Sequence, residues 1–283
     1  MYGQIFKEQP FDFTKHSTIG CGGVAKQAFY PKNEEETRFL LDKQPNGWVA
    51  VGNMSNVLPS DDGTDKTVIC TKKLTEIQPS EDTVYVSAGV TSGALLRFMR
   101  DEGYGGAEFL AGIPCTVGGI LYMNGGAGGK YIAELVDRVR IVRGGEILNL
   151  PAKECEYFYK NSVFMRTNDF ILGGNLRLKK AKKEDIEKSI KSWLDKRAHL
   201  PKGKSMGCVF KNPAGYSAGE LIEKTGLKGL RIGGAKVSEL HANFILNDKN
   251  ATAREITSLI AIIKNAVYAQ YGILLEEEIR YLK

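Results

Sequence analysis

The 283-residue sequence lacks the marks of several protein classes. It holds only three histidines and five cysteines, and no two cysteines form a Cys-x-x-Cys pair, which argues against a disulfide framework and gives no basis for a metal site. No apolar run reaches the roughly 18 residues of a membrane span. The first residues, MYGQIFKEQP, lack the apolar region of a signal peptide. We therefore expect a cytoplasmic protein with no metal and no membrane partner.

Strong charge of either sign is also missing. Lys and Arg number 39 and Asp and Glu number 33, so the net charge is only +6. This mild excess fits a small anionic ligand such as a phosphate as well as it fits a polynucleotide, and we expect no nucleic-acid partner. The hydrophobic share of 42% and the charged share of 25% are those of a folded protein with one large domain or two small ones.

The hydrophobic pattern predicts a mixture of helices and strands. Helices are expected at 34–43, 92–102, 184–197, 217–225 and 252–271. Strands are expected at 48–52, 83–88, 136–143, 146–150, 170–178, 237–247 and 273–282. Gly144-Gly145 predicts a hairpin turn, and Thr252 with Glu255 predicts a capping box. The polar segment 202–206 predicts a domain boundary.

Glycine is abundant, with 32 residues, and it is concentrated in two loops. The first loop is residues 51–56 (VGNMSN), and the second is 112–119 (GIPCTVGG), followed by 124–129 (NGGAGG). Glycine lets backbone N–H groups approach an anion closely, so the pair of loops predicts a pyrophosphate site, although ordinary tight turns would explain either loop alone. Neither loop is a Walker A motif or a G-x-G-x-x-G fingerprint.

Two further segments carry reactive groups. Residues 207–213 (GCVFKNP) place a thiol, an ammonium group and an amide within one loop. Residues 276–280 (EEEIR) would place Glu276, Glu278 and Arg280 on one face of a strand, where a carboxylate and a guanidinium could hold a charged substrate. A solvated edge strand is the alternative. His241 and Asn243 are expected on one face of another strand, where a lone histidine is more often packed than catalytic.

Together and in this order, the motifs resemble those of the bacterial UDP-N-acetylenolpyruvoylglucosamine reductases, and the length resembles the shorter, type II branch. The resemblance spans nearly the whole chain. It rests on Gly52-x-x-Ser55-Asn56-x-Leu58, Glu108-Phe109-Leu110-Ala111-Gly112-Ile113-Pro114-x-Thr116-Val117-Gly118-Gly119, Tyr159-Lys160-x-Ser162-x-Phe164, Gly207-Cys208-x-Phe210-Lys211-Asn212-Pro213, Ala218-Gly219-x-Leu221-Ile222-Glu223, Gly233-Gly234-Ala235-x-Val237-Ser238-x-x-His241-Ala242-Asn243-Phe244-Ile245 and Leu275-Glu276-x-Glu278-Ile279-Arg280.

The resemblance implies an α+β chain with a two-subdomain FAD-binding fold of the PCMH/VAO type and a small α/β C-terminal substrate domain. The FAD-binding region would be residues 1–200, with subdomains of about 1–75 and 76–200, and the substrate domain would be 201–283. The implied reaction reduces UDP-N-acetylglucosamine enolpyruvate to UDP-N-acetylmuramate for peptidoglycan synthesis. Non-covalent FAD is the implied cofactor and NADPH the reductant, in a protein expected to be a monomer.

The resemblance also implies residue roles. Cys208 would protonate the substrate α-carbon, Glu278 would polarise or protonate the enolate, and Lys160 would replace the family's arginine. An ordinary thiol, with a pKa of roughly 8.5, is mostly protonated at neutral pH and can fill this role without special activation. The FAD-binding residues would be Gly52, Asn53, Met54, Ser55, Asn56, Gly112, Ile113, Cys115, Thr116, Gly118, Gly119 and Asn124. The substrate-binding residues would be Tyr159, Lys211, Asn212 and Arg280.

Several positions depart from the family pattern. Met54 and Cys115 stand where glycines are usual, and Gly20 stands where a basic residue is usual. Two alternatives therefore stay open. One is a flavin oxidase of the same fold on another substrate, disfavoured because the glycine loops at 52–56 and 112–119 hold no histidine to tether FAD. The other is a non-catalytic flavin or nucleotide-sugar binding protein, disfavoured by the retention of Cys208, Glu278 and Asn212.

Overall fold

Two sets of chain segments form separate compact units in the computed structural model, which describes residues 9–44 and 47–283. Among the described residues, the first unit holds 28–44, 47–53 and 66–198, and the second holds 9–27, 54–65 and 199–283. The linear division at residue 200 would place 9–27 and 54–65 with the FAD-binding region, whereas they pack with the C-terminal residues. The expectation that no signal peptide is present rests mainly on residues 1–8, which lie outside the described residues.

The helices largely follow the sequence pattern. They are α1 (Phe13–His16), α2 (Glu34–Asp42), α3 (Ser92–Glu102), α4 (Val117–Met123), α5 (Lys183–Arg197), α6 (Ala218–Lys224) and α7 (Ala253–Tyr271). The Thr252–Glu255 capping box is confirmed at the start of α7, and α3 and α7 each end at a left-handed glycine. The short helices α1 and α4 were not predicted. Helix α4 was not predicted because it contains Gly118-Gly119, and glycine has a low helix propensity.

The strands are shorter and more numerous than predicted. They are β1 (Gln9–Asp12), β2 (Val24–Phe29), β3 (Trp48–Val51), β4 (Val57–Pro59), β5 (Thr67–Cys70), β6 (Ile77–Pro79), β7 (Val84–Ser87), β8 (Tyr104–Gly105), β9 (Gly126–Ala127), β10 (Lys130–Tyr131), β11 (Val136–Arg143), β12 (Glu146–Pro151), β13 (Phe170–Leu176), β14 (Lys179–Lys180), β15 (Ser205–Cys208), β16 (Arg231–Ile232), β17 (Ala235–Val237), β18 (Phe244–Asn247) and β19 (Arg280–Leu282). The hairpin at Gly144-Gly145 is confirmed between β11 and β12, with both glycines at positive φ.

The first unit is built on an antiparallel sheet in the order β12-β11-β13-β7-β6. Helix α4 packs on β13 and β7, and α3 packs on α5. Strand β5 lies between β3 and the end of β2, in parallel register with both. One apolar core joins these elements, and its fully buried members include Phe109, Phe164 and Phe170. Its members Leu110 and Ile120 flank the second glycine loop, and Trp48 packs against this core ahead of the first.

The second unit has an antiparallel sheet in the order β15-β18-β17-β16, with α7 packed on β16 and β17. Strand β4 pairs in parallel with β19. The apolar face of α7, including Ile256, Leu259 and Ile263, forms much of a second core. This arrangement brings the ends of β15, β4 and β19 into one unit.

The single strand predicted over 237–247 is wrong, because the chain turns between β17 and β18. Ser238 Oγ accepts from the N–H groups of Leu240 (3.1 Å) and His241 (3.3 Å), which gives the backbone a local alternative to strand pairing. His241 and Asn243 therefore lie in a turn and do not share a strand face.

The strand predicted over 273–282 is also wrong, since only Arg280–Leu282 is a strand. The preceding residues use another partner: Phe210 forms a bridge with Glu277, and Lys211 N–H donates to Glu276 O (2.9 Å). Because the segment changes partner after Glu278, Glu276, Glu278 and Arg280 do not lie on one strand face. The polar linker expected over 202–206 is likewise partly strand, because β15 begins at Ser205.

Candidate active site

The two glycine loops of the first unit touch each other. Gly52, directly after β3, packs so closely on Thr116 that a Cβ at position 52 would overlap the Thr116 hydroxyl oxygen. Next to it, the Asn53 amide donates to Pro114 O over 3.4 Å. Only glycine permits such an approach at position 52. The start of the first loop, Gly52 and Asn53, is therefore in direct contact with the second loop.

Two hydroxyl side chains hold the second loop in place. Ser92 donates twice: its N–H bonds to Cys115 O (3.1 Å) and its Oγ bonds to Ile113 O (2.5 Å). Thr116 caps α4, since its Oγ1 accepts from Gly119 N–H over 3.4 Å. The loop is thus fixed before any ligand binds, with Gly112 exposed and at φ +76°.

Gly118 and Gly119 have different surroundings. Gly118 is buried, its N–H donates to Ala88 O over 2.8 Å, and a Cβ at 118 would lie 2.8 Å from Ala88 Cβ. Its absent side chain therefore allows α4 to pack on Ala88. Gly119 is exposed, and among the described residues only Thr116 Oγ1, at 3.5 Å, lies near the position of an added Cβ. Of the two, Gly119 leaves open space beside its Cα for a ligand, while its N–H is bonded to Thr116 Oγ1.

Asn124 links α4 to the turn that carries Tyr159 and Lys160. It is buried and left-handed, with φ +43°. Its Nδ2 donates to Phe158 O (2.7 Å) and its Oδ1 accepts from Ala133 N–H (3.2 Å). The amide that sequence reasoning assigns to FAD therefore also holds this turn.

Lys160 lies at the tip of a two-residue turn. Phe158 and Asn161 exchange backbone hydrogen bonds of 3.1 and 3.2 Å across it, and Lys160 has φ +51°. Left-handed backbone costs a residue with a side chain about 1–2 kcal/mol. Tyr159, beside it, meets the edge of the Tyr131 ring with centroids 6.1 Å apart. A strained lysine at such a turn is a candidate functional group.

In the second unit, the chain after Cys208 pairs with the segment that carries Glu278. Cys208 ends β15 opposite Phe244 and is half-buried. Val209 O accepts from Glu278 N–H over 2.8 Å. The structure thus brings Cys208 and Glu278 onto neighbouring extended segments, one residue apart in register.

Asn56 ties Glu278 and Arg280 to β4. Its Nδ2 donates to Glu278 O (3.0 Å), and its O accepts from Arg280 N–H (2.9 Å). Met54 is buried with φ +52°, and Ser55 is half-buried. The first glycine loop therefore continues directly into residues that support Glu278.

Lys211 and Asn212 already have protein partners. Lys211 Nζ pairs with the Glu276 carboxylate at 2.5 Å. Asn212 Oδ1 accepts from Ala218 N–H (3.0 Å) at the start of α6. Both lie in the second unit with Cys208, so a substrate contact by Lys211 would compete with an ion pair.

The other four cysteines are unsuited to acid–base chemistry. Cys21, Cys70, Cys115 and Cys155 are all buried. Burial raises the pKa of Cys21, Cys115 and Cys155 to about 12 and raises that of Cys70 as well. These thiols stay protonated and inert. Cys115 is therefore a small packing residue of the second loop, and Cys208 is the accessible thiol among the described residues.

Sequence reasoning missed two residues. Arg197 ends α5, and its Cδ and Nε lie 3.3 Å from the position of a Cβ at Gly112. It lies four residues after Trp193, whose ring contacts Gly128. Residues four apart share a helix face, so this spacing could have predicted that Arg197 also faces a glycine-rich segment. Asn243 was misplaced on a strand and lies against the residues that follow Cys208.

The predicted residues thus form two groups, one in each unit. The first unit brings together the residues of both glycine loops and the turn: Gly52, Asn53, Gly112, Ile113, Cys115, Thr116, Gly118, Gly119, Asn124, Tyr159 and Lys160. The second brings together Met54, Ser55, Asn56, Cys208, Lys211, Asn212, Glu278 and Arg280. In the part of the chain that the structure describes, no His, Cys, Asp or Glu cluster could hold a metal ion. None of the described helices is long and apolar enough to cross a membrane.

Comparison with known proteins decides the family. Residues 25–150 match the family described as FAD binding domain, and 198–282 match the UDP-N-acetylenolpyruvoylglucosamine reductase C-terminal domain. The UDP-N-acetylenolpyruvoylglucosamine reductase of Geobacter metallireducens is 37% identical over 98% of this chain and 94% of its own length. That of Thermosipho melanesiensis is 40% identical over 93% and 91%. The chain belongs to the UDP-N-acetylenolpyruvoylglucosamine reductase family.

A solved structure agrees with this assignment. The reductase of this family from Thermus caldophilus matches with a TM-score of 0.86 at 30% identity, over 98% of this chain and all of that one. The expected α+β fold, an FAD-binding domain followed by the family's C-terminal domain, is confirmed. The expected reductase function in peptidoglycan precursor synthesis is confirmed as well, and neither alternative is favoured.

FAD is the cofactor, and the residues of the first unit fit it. The touching loops offer exposed backbone at Gly112, open space beside Gly119 and the amide of Asn53. A diphosphate must approach the backbone closely, and small residues with neutral donors allow that approach.

Proposed function

We propose that the chain reduces the enolpyruvyl group of UDP-N-acetylglucosamine enolpyruvate to the lactyl group of UDP-N-acetylmuramate, with NADPH as the source of electrons. The observation that carries the proposal is the pairing of the Cys208 and Glu278 segments, which joins a thiol donor and a carboxyl group in one unit. When bound, FAD supplies the hydride-transfer chemistry that no side chain offers.

Some of the residues proposed to hold FAD are open to a ligand, whereas others already contact protein groups. Gly52, Asn53, Gly112, Ile113, Thr116 and Gly119 would surround it, with Arg197 beside Gly112. Gly118, Cys115 and Asn124 support the site from behind, because their side chains or N–H groups already face protein. Met54, Ser55 and Asn56 complete the proposed set in the second unit.

Positive charge is needed because addition of hydride to the substrate's methylene carbon leaves negative charge at the α-carbon, which is delocalised into the adjoining carboxylate as an enolate. Lys160 would stabilise this charge, and Arg280, Lys211, Asn212 and Tyr159 would orient the substrate. Charges fixed before the reaction stabilise a developing anion without reorganisation. The strained turn at Lys160 keeps its backbone preorganised.

Cys208 then completes the reduction. A C–H bond forms at the α-carbon with the proton from Sγ, the enolate electrons form that bond, and the thiolate regains a proton from solvent. Glu278 would polarise the enolate oxygen or protonate it. Its backbone N–H donates to Val209 O, which fixes the register of the Glu278 segment against the residues that follow Cys208.

The proposal also covers the cellular location, the oligomeric state and the roles of the two regions of the chain. We place the chain in the cytoplasm as a monomer, acting in cell-wall synthesis and so in cell shape and division. We also propose that residues 201–283 form the substrate domain and that 1–200 form the FAD-binding region, with Tyr159 and Lys160 of that region acting on the substrate.

The test separates the two half-reactions in Cys208→Ala by anaerobic stopped-flow absorbance. Flavin bleaching by NADPH needs no proton from this thiol and should stay within about threefold, whereas reoxidation by the enolpyruvyl substrate should slow by about a hundredfold or more. Cys208→Ser should keep substantial activity, because a hydroxyl can donate from the same place. An unchanged second half-reaction in Cys208→Ala would remove Cys208 from the mechanism, and equal slowing of both would indicate lost flavin or misfolding.

A further inference from the structure

Asn243 holds the two residues that follow Cys208. Its side chain is buried, with 2% exposed. Its Oδ1 accepts from Phe210 N–H (2.9 Å), and its Nδ2 donates to Phe210 O (2.8 Å). Its backbone O accepts from Val209 N–H (2.8 Å). One asparagine thus binds three main-chain groups of this segment.

The fourth main-chain group of this segment, Val209 O, has Glu278 as its partner. It accepts from Glu278 N–H, so every main-chain polar group of Val209 and Phe210 has a partner. Both residues are 1% exposed. Buried peptide groups with fixed partners cannot rotate without leaving a donor or acceptor unsatisfied. The segment after Cys208 is therefore locked in direction and register.

Asn243 is itself held by His241. The backbone N–H of Asn243 donates to His241 Nδ1 over 3.3 Å. Burial lowers the pKa of His241, which keeps the imidazole neutral and its Nδ1 available as an acceptor. The His241 ring packs edge-on against Phe244, with centroids 5.1 Å apart. The turn between β17 and β18 is thus a rigid support with Asn243 at its end.

We infer that Asn243 is a positioning residue for Cys208: it fixes the peptide groups that follow the thiol and so aims the proton at the substrate carbon. The inference rests on the proposed role of Cys208. Asn243 needs no contact with substrate or cofactor to act in this way. Removing its amide should leave the thiol chemically intact and misdirected.

Asn247, the last residue of β18, provides a matched control. Asn247 is also buried, with 7% exposed. Its Nδ2 donates to Ile19 O (2.9 Å) and Gly20 O (3.0 Å), and its Oδ1 accepts from Ala251 N–H (2.6 Å). Loss of this amide removes three side-chain hydrogen bonds from the same unit, one more than Asn243 would lose, without touching the segment after Cys208.

The first experiment measures alkylation of Cys208 by iodoacetamide in FAD-loaded protein, with Cys208→Ala as the blank. The remaining thiols are buried, so the modification reports on Cys208. In Asn243→Leu the released segment should expose the thiol and raise the rate at least threefold. In Asn247→Leu the rate should change by less than twofold. A change below twofold in Asn243→Leu, or equal changes in both variants, would overturn the inference.

The second experiment measures the half-reactions of the same variants. Asn243→Leu should slow substrate-driven flavin reoxidation at least tenfold, with bleaching by NADPH within twofold of wild type. Adding Asn243→Leu to Cys208→Ala should slow reoxidation by less than twofold more, because a positioning residue has nothing left to position. A full tenfold loss in the double variant would overturn the inference.

The two failures are distinguishable. If Cys208→Ala itself reoxidises at the wild-type rate, the proposed role of Cys208 is wrong. If Cys208→Ala is slow while Asn243→Leu matches wild type in both reoxidation and alkylation, the role of Cys208 stands and the role of Asn243 is wrong.

Discussion

Adjacent glycines in α4 should respond in opposite ways to the same methyl group. Gly118→Ala would place a Cβ 2.8 Å from Ala88 Cβ, whereas ordinary contacts begin near 3.4 Å. Both groups are buried, so α4 must shift by roughly half an ångström or strain the core. Such overpacking typically costs about 1–3 kcal/mol. We expect Gly118→Ala to lower the stability of the FAD-free protein by that amount.

Gly119→Ala adds its methyl group to open, exposed space. Alanine favours a helix over glycine by about 0.5–1 kcal/mol, so the FAD-free protein should be as stable as wild type or slightly more stable. If the flavin diphosphate lies against this backbone, the same methyl group should weaken FAD binding by at least tenfold, or about 1.4 kcal/mol.

The assay pairs urea unfolding of the FAD-free protein with FAD titration by flavin fluorescence. The two variants should affect different quantities. Gly118→Ala should mainly lower the free energy of unfolding, and Gly119→Ala should lower only the affinity for FAD. If Gly119→Ala binds FAD within twofold of wild type, the exposed backbone at 119 is not part of the cofactor site. If Gly118→Ala is as stable as wild type, the packing argument is refuted.

The remaining predictions concern charge. Lys160→Ala should reduce turnover by about a hundredfold, as for a lost oxyanion donor, and Lys160→Arg should stay within a few-fold in steady-state assays; unchanged turnover in Lys160→Ala would refute the role. Lys160→Gly should lose turnover equally while gaining up to about 1 kcal/mol in urea unfolding, because glycine relieves the left-handed backbone. Burial alone would raise the pKa of Asp169, but bonds of 2.8 Å from Arg143 and 2.7 Å from Thr167 outweigh it and lower the pKa. A lowered folded-state pKa stabilises the fold above the unfolded value, near roughly 4, and this stability is lost as pH falls through the folded pKa. The urea midpoint of Asp169→Asn should therefore fall less than that of wild type between about pH 6 and pH 3, and parallel curves would contradict this.

Local signals in the sequence were reliable where one short-range interaction decides the structure. Gly144-Gly145 specified its hairpin because both positions need positive φ, and Thr252 with Glu255 specified the start of α7 through a capping box. Each of these signals is complete within four residues.

Predictions failed where a distant partner decides. The strand expected over 273–282 breaks because its residues pair first with the segment after β15 and then with β4, more than 200 residues away in the chain. Helix α4 forms despite two glycines because Ala88, about 30 residues earlier in the chain, packs on Gly118. Periodicity within one window contains neither partner.

The candidate site divides in the same way. Motif order supplied Cys208, Glu278 and the glycine loops, because their chemistry is visible in the residue types. Asn243 was placed on a strand face and given no role, because an asparagine's hydrogen-bond partners cannot be read from its neighbours in sequence. Its role depends on bonds to Val209 and Phe210, more than 30 residues earlier in the chain.

The central claim, reduction of the enolpyruvyl sugar nucleotide, is tested most directly by one anaerobic experiment on the FAD-loaded protein. NADPH is added until the flavin is bleached, and UDP-N-acetylglucosamine enolpyruvate is then mixed in while absorbance is followed. The proposed function predicts that yellow colour returns without oxygen, with one UDP-N-acetylmuramate formed per flavin. A flavin that stays bleached with this substrate, yet regains its colour when air is admitted, would contradict it.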